Sequence, residues 1–155
     1  MFDKGSGRVK ISKDLDFEPG FSLPVFTHQS DYNSWTSLSG SLYQRDVTDT
    51  KGRKLTVWLN FRGTTLQDVL ISFFLPHERD KRVRELLQSW SPSDPRREAF
   101  HRLILSESLG EEPYQYPWGF VALGTSDLDL ASVIMVHYNL DTQHDPNLKV
   151  HYGVV

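Results

Sequence analysis

No cysteine occurs among the 155 residues. Its absence excludes a disulfide framework, thiolate zinc sites and a cysteine nucleophile, and fits a reducing compartment. No run of about 18 apolar residues occurs either, so no membrane span is expected. The opening stretch, Met1-Phe2-Asp3-Lys4-Gly5-Ser6-Gly7, is polar and lacks the apolar core of a signal segment. A cytoplasmic protein is therefore expected. A surplus of basic charge is also lacking: 17 Lys and Arg stand against 20 Asp and Glu, a net charge of −3. A general nucleic-acid binder would carry a basic excess, so no nucleic-acid partner is expected. Phosphate-cradling loops are missing, because Gly5-Ser6-Gly7 leads into no helix. None of Ser39, Ser41, Ser72 or Ser132 has a G-x-S-x-G context. No internal repeat or low-complexity segment is present.

What is present is patterned apolar sequence. At this length one domain over residues 1–155 is expected, burying roughly two-thirds of the surface the unfolded chain exposes. Leu55, Val57, Leu59 and Phe61 alternate with Thr56, Trp58, Asn60 and Arg62, the period of a strand with two unlike faces. Arg62-Gly63-Thr64-Thr65 interrupts as a tight loop. A second apolar run, Leu66 to Leu75, follows. The pair reads as a β-hairpin, and as the densest apolar stretch it belongs at the middle of a sheet.

Around this hairpin the chain is read in order. Arg8 to Phe17 reads as an edge strand, with Val9, Ile11 and Leu15 on its apolar face. Phe21, Leu23 and Val25 continue extended toward the core. Thr27 caps a short helix from His28 to about Asn33, with Trp35 packed behind it. Leu38 to Val47 is a strand, Asp49-Thr50-Lys51-Gly52 a turn, and Ser41 to Leu75 a three-strand meander.

Two helices follow. Val83, Leu86, Leu87 and Trp90 mark a first over about residues 79–90. Asp94 and Pro95 start a second, over 95–109, with Phe100, Leu103, Ile104 and Leu109 as its buried stripe and Gly110 ending it. The prolines of Glu111 to Gly119 impose an extended path. A strand from Trp118 turns at Gly124-Thr125-Ser126-Asp127 and returns from Ala131 to Leu140. On it, Ser132, Ile134, Val136 and Tyr138 share one side, and Val133, Met135 and His137 the other. Lys149 to Val155 adds a last strand. Strands, two helices, then strands indicate an α+β fold, with an antiparallel sheet of hairpins and both helices packed on one face.

The chemistry-bearing residues are read against their bland alternatives. His137, His144 and His151 recur every seven residues. That is no ligand spacing in a hairpin, so surface or strand histidines are expected, and no metal or other cofactor. His101, between Phe100 and Leu103, reads as a half-exposed helical residue in preference to a general base. The acid pairs Glu111/Glu112 and Asp127/Asp129 lie in turns and loops, not across a cleft as glycoside hydrolysis requires. The basic cluster Arg79, Lys81, Arg82 and Arg84 is balanced by Glu78, Asp80 and Glu85 and reads as a solvated face. Trp58 falls opposite the core face of the central strand. It is either an exposed interface anchor or covered by the segment holding Phe21 and Phe26.

The order of these features carries a resemblance. An N-terminal strand precedes Phe26-Thr27-His28-Gln29-Ser30 and Trp35; a hairpin and a helix ending at Leu109-Gly110 follow; then come Tyr114-Gln115-Tyr116-Pro117-Trp118-Gly119 and a strand with Tyr138. In this the chain resembles small bacterial immunity-type proteins of polymorphic and contact-dependent toxin systems. The resemblance implies a non-enzymatic binding module that neutralises a cognate toxin or effector protein by occluding it, without turnover. Trp58, Asp46, Asp49, Glu111, Glu112, Asp127 and Asp129 are the expected partner-binding residues, the aromatic as anchor and the acids for steering. The alternatives are an effector adaptor or chaperone, and a small enzyme whose site is assembled from residues distant in sequence. His101 or His137 beside a carboxylate in a deep polar pocket would favour the enzyme.

Overall fold

The computed structural model describes residues 1–75, 95–125 and 132–139. The fold is α+β, with antiparallel pairing throughout its sheets. The expected strand from Arg8 to Phe17 is instead a hairpin of its own, β1 (Val9–Ser12) and β2 (Leu15–Phe17), which forms a separate two-stranded sheet. Lys13-Asp14 makes the turn, and Arg8 pairs with Asp16 across it. The apolar alternation survives the turn, since Val9, Ile11, Leu15 and Phe17 are all buried.

The first helix begins earlier than its expected start at His28. Helix α1 spans Leu23–Thr27. The Ser22 hydroxyl accepts from the Val25 N–H at 3.3 Å, and Pro24 stands in the first turn. A serine cap followed by proline is a stronger start signal than Thr27, which closes the helix instead. Phe26 is thereby turned into the core while Val25 stays exposed. A 3₁₀ turn at Tyr32–Ser34 then delivers Trp35, whose ring packs edge-on against Phe26 with centroids 5.4 Å apart.

The expected strand from Leu38 to Val47 is also two strands, β3 (Thr36–Ser39) and β4 (Leu42–Thr48), folded around Gly40-Ser41. With β5 (Lys54–Arg62) and β6 (Thr65–Phe73) they give the meander read from the sequence. Helix α2 spans Pro95–Leu109, within the bounds expected, and Gly110 follows it at φ 81°. The helix expected over 79–90, and the strand from Lys149, lie outside the described residues. The chain returns through β7 (Gln115–Tyr116), β8 (Gly119–Thr125) and β9 (Ser132–Tyr138). Among the described residues the large sheet has seven strands in the order β3-β4-β5-β6-β9-β8-β7, so the densest apolar run, β6, is the central one of these.

The segment around Pro113 and Pro117 is not simply extended. Pro117-Trp118 is the two-residue turn between β7 and β8. The Trp118 indole N–H donates to the Lys4 carbonyl at 2.7 Å, and the Tyr138 hydroxyl donates to the Gly7 carbonyl at 2.8 Å. The stretch around Gly5-Ser6-Gly7 is thus anchored against this turn. Glycine is required on both sides of this contact. A Cβ on Gly7, at φ 76°, would lie 2.6 Å from the Trp118 ring. A Cβ on Gly119, at φ 153°, would run into the His137 backbone carbonyl.

One face of the sheet carries the main core. Leu55, Val57, Leu59 and Phe61 of β5, Leu66, Val69, Ile71 and Phe73 of β6, and Ile134, Val136 and Tyr138 of β9 meet β1–β2, α1 and α2 there. The aromatic rings sort themselves within it. Phe61 stacks on Phe26 with centroids 5.5 Å apart, so it faces α1, not α2. Phe73 meets Phe100 of α2 edge-on at 6.0 Å. The buried stripe of α2 is His101, Ile104, Leu105 and Leu109. Ile104 and Leu109 are buried as expected, whereas Leu103 is 52% exposed and His101 and Leu105 are buried in addition.

Candidate functional site

The buried face of α2 includes a polar residue. His101 is fully buried, not half-exposed. Its Nε2 accepts the Phe73 backbone N–H at 3.0 Å, where β6 ends. Since Nε2 accepts, Nδ1 carries the proton and donates to the Ser132 hydroxyl at 3.0 Å. Burial, with Arg97 nearby, pushes the His101 pKa down to about 3, which keeps the ring neutral at neutral pH. Both nitrogens are occupied, so His101 ties α2 to β6 and β9 and has no free base to offer.

The other face of the sheet is organised in rows of directly opposed residues. Leu42, Asn60, Asp68, His137, Phe120 and Gln115 stand opposite one another across β4, β5, β6, β9, β8 and β7. The next row, roughly 7 Å along the strands, is Gln44, Trp58, Leu70, Met135 and Ala122. Beyond it Asp46, Thr56 and Ser72 stand opposite one another. An apolar stripe thus runs between two polar rows. Trp58, Leu70, Val133 and Met135 are buried together, with Leu42 and Phe120 packed against them.

The first row holds a tight polar cluster. His137 Nδ1 lies 2.7 Å from Asp68 Oδ1, and the Asn60 side-chain amide donates to Asp68 Oδ2 at 3.0 Å. The Phe120 ring stacks on the imidazole with centroids 4.9 Å apart. The carboxylate side chain is fully buried and the imidazole keeps 7% of its side-chain surface. A carboxylate on Nδ1 fixes the tautomer, leaving Nε2 as the nitrogen with a lone pair. Among the described residues Nε2 has no hydrogen-bond partner. A bulge between Asn60 and Phe61, opposite Gln67, interrupts the ladder beside Asp68. Bulges of this kind re-aim side chains and recur near functional sites.

A second feature is a groove of about 480 Å³ between the β1–β2 hairpin and the outer strands of the large sheet, with Asp14, Asp31, Arg45, Asp46 and Lys54 among its lining. Arg45 pairs with Asp31 at 2.7 Å and lies over the Trp35 ring. Asp46 Oδ1 accepts from the Thr56 hydroxyl at 2.7 Å. Asp14 is exposed and has no ion-pair partner among the described residues.

The residues expected to bind a partner are therefore scattered. Asp46 lines the groove. Asp49 is 6% exposed and is used internally: it accepts from the backbone N–H groups of Lys51 and Arg53 and pairs with the Arg53 guanidinium at 2.7 Å. It holds the β4–β5 turn and offers no exposed charge. Trp58 lies opposite the main core, as its alternation demands, yet it is only 3% exposed and donates to the Gln44 side chain at 2.9 Å. Neither an exposed anchor nor cover by Phe21 and Phe26 describes it, since those rings belong to the other face. Glu111 and Glu112 are exposed after α2, with Arg102 3.8 Å from Glu112. Asp127 and Asp129, like His144, His151 and the basic cluster from Arg79 to Arg84, lie outside the described residues.

Asp68 and Asn60 escaped sequence reasoning. The signal was a single acid set inside the densest apolar run, Leu66-Gln67-Asp68-Val69-Leu70. A buried carboxylate is costly unless it is paired, so an acid in a central strand implies a partner across the sheet. Among the described residues, no group of three or more His, Asp or Glu side chains stands close enough to hold a metal, and no helix is long and apolar enough to cross a membrane. The chain matches no family model, no curated protein and no solved structure.

Proposed function

We propose that the chain is an immunity-type binding protein that neutralises a toxin or effector by occluding it. The observation that supports this reading is the charged groove. It gathers Asp14, Asp31 and Asp46 from three separate parts of the chain onto one exposed surface. Arg45 satisfies Asp31, and the Asp14 carboxylate is left to face solvent. A partner that presents lysine or arginine gains both steering and orientation from such a surface. Specific occlusion needs about 800 Å² on each partner, more than the groove alone, so the surrounding exposed strands belong to the contact.

The test is co-expression of this chain with a toxic product of a neighbouring gene, with and without Asp14→Lys and Asp46→Lys. Protection by the wild type, weakened by charge reversal in a variant with unchanged circular dichroism, supports the reading. Raised salt should slow association more than it speeds dissociation, because exposed charges are screened within about 10 Å at 0.1 M. No protection and no binding to any neighbour's product rejects it.

A further inference from the structure

We propose that His137 is the general base of a hydrolytic site on the sheet face away from α2, with Asp68 as its positioning residue and an uncharged ester or similar acyl compound as substrate. The inference goes beyond the occlusion reading and shares no residue with the groove. It also departs from the sequence-based expectation of a protein without turnover.

Four observations converge. The imidazole is held on Nδ1 by a carboxylate at 2.7 Å, which leaves Nε2 as the basic nitrogen. The carboxylate is itself held, by the Asn60 amide at 3.0 Å. The ring is fixed in plane by Phe120 at 4.9 Å. The Asp68 side chain is fully buried while the imidazole retains a small exposed edge, so the open side of the pair is the histidine side. A buried carboxylate hydrogen-bonded to a histidine in this way adds little stability over an apolar pair of the same volume. Here it stands beside the apolar stripe of Trp58, Leu70 and Met135, in the middle of the sheet.

The surroundings select the substrate class. The row through the pair, from Leu42 to Gln115, contains no lysine or arginine. A buried carboxylate with no cation in its row disfavours phosphate esters and other anions, which leaves an uncharged group as the substrate. The step balances without a co-reactant other than water. Nε2 takes a proton from water as the water oxygen bonds to the acyl carbon. Asp68 stabilises the imidazolium. The bond from carbon to the alcohol oxygen then breaks, and Nε2 returns the proton to that oxygen. One ester and one water give one acid and one alcohol.

The experiment uses the full chain with p-nitrophenyl acetate and p-nitrophenyl butyrate as probes. The wild type should hydrolyse them with saturation and faster than an equal concentration of free imidazole. His137→Gln should lose this excess, about a hundredfold or more, the scale of general base catalysis. Asp68→Asn should lower the rate and change the pH–rate profile, because an amide no longer selects the tautomer or stabilises the imidazolium. His28→Gln, which alters an exposed histidine on another element, should leave the rate unchanged. Circular dichroism checks that each variant folds. ¹⁵N resonances of His137 in the wild type provide a measure that needs no variant: Nδ1 should be the protonated nitrogen at neutral pH. A wild-type rate no greater than that of free imidazole overturns the proposal. So does a rate that survives His137→Gln in a folded variant, or a proton found on Nε2 alone.

Discussion

The stability of this protein should fall in acid through one buried histidine. His101 has a pKa of about 3 in the folded chain against an ordinary value near 6.5. Its folded value is depressed, so between these limits the unfolded chain binds a proton that the folded chain refuses. Stability therefore rises with pH across this window and is lost as pH falls from 6.5 toward 3. The loss amounts to about 3 kcal/mol between pH 7.5 and pH 4.5. Other groups titrate over the same range, so the contrast is made with His101→Gln. The Gln carbonyl oxygen can still accept the Phe73 N–H, but the side chain does not titrate. At pH 7.5 the variant should be less stable by about 1–3 kcal/mol, from lost packing and the weakened bond to Ser132. Urea unfolding at a series of pH values should show the gap closing or reversing by pH 4.5, a change of about 3 kcal/mol. A gap that stays constant from pH 7.5 to 4.5 would refute the reasoning, because His101 would then titrate alike in both states.

Three further outcomes are expected. Phe61→Ala should cost about 3–5 kcal/mol in urea unfolding, since Phe61 is buried against Phe26, Tyr43 and Phe21; wild-type-like unfolding would reject that packing. Gly119→Ala should destabilise by well over about 1 kcal/mol, because a Cβ there meets the His137 backbone and not a movable side chain; the melting temperature should drop, whereas Gly20→Ala, with nothing within 4 Å of its Cβ, strains only its own backbone. Asp49→Ala should cost about 2–3 kcal/mol by leaving the Arg53 guanidinium and two backbone N–H groups of the β4–β5 turn without their acceptor; amide exchange at Lys51 and Arg53 should accelerate, and unchanged protection there would contradict the assigned role.

The central hairpin was legible because its signals are local. Period-two alternation over Leu55 to Phe61, a Gly-containing loop and a second apolar run are properties of adjacent residues, and β5 and β6 follow them closely. The Asp49 turn and the Pro95–Leu109 helix were legible for the same reason. Where two local signals competed, the reading failed. Ser22-Pro24 outweighed Thr27 as a helix start, and Lys13-Asp14 and Gly40-Ser41 each folded one apparent strand into two. Of the expected stripe of α2, Ile104 and Leu109 are buried and Phe100 packs against the core, but Leu103 is exposed and His101 was missed, because apolar patterning assigns no core position to a histidine.

The candidate site shows the limit more sharply. His137 was placed on the correct strand face by alternation alone. Asp68 was not assigned to it, since 69 residues separate the two and only the pairing of β6 with β9 brings them to 2.7 Å. Trp58 was likewise set on the correct face, but its burial depends on residues of other strands. By itself the sequence determined the faces of the strands, the turns at Asp49 and Gly63, the second helix and the α+β class, because each follows from spacing within a few residues. The tertiary structure alone decided which strands are neighbours, which polar groups are paired and which side chains are closed to water, because hydrogen-bonded register between distant segments has no counterpart in local spacing.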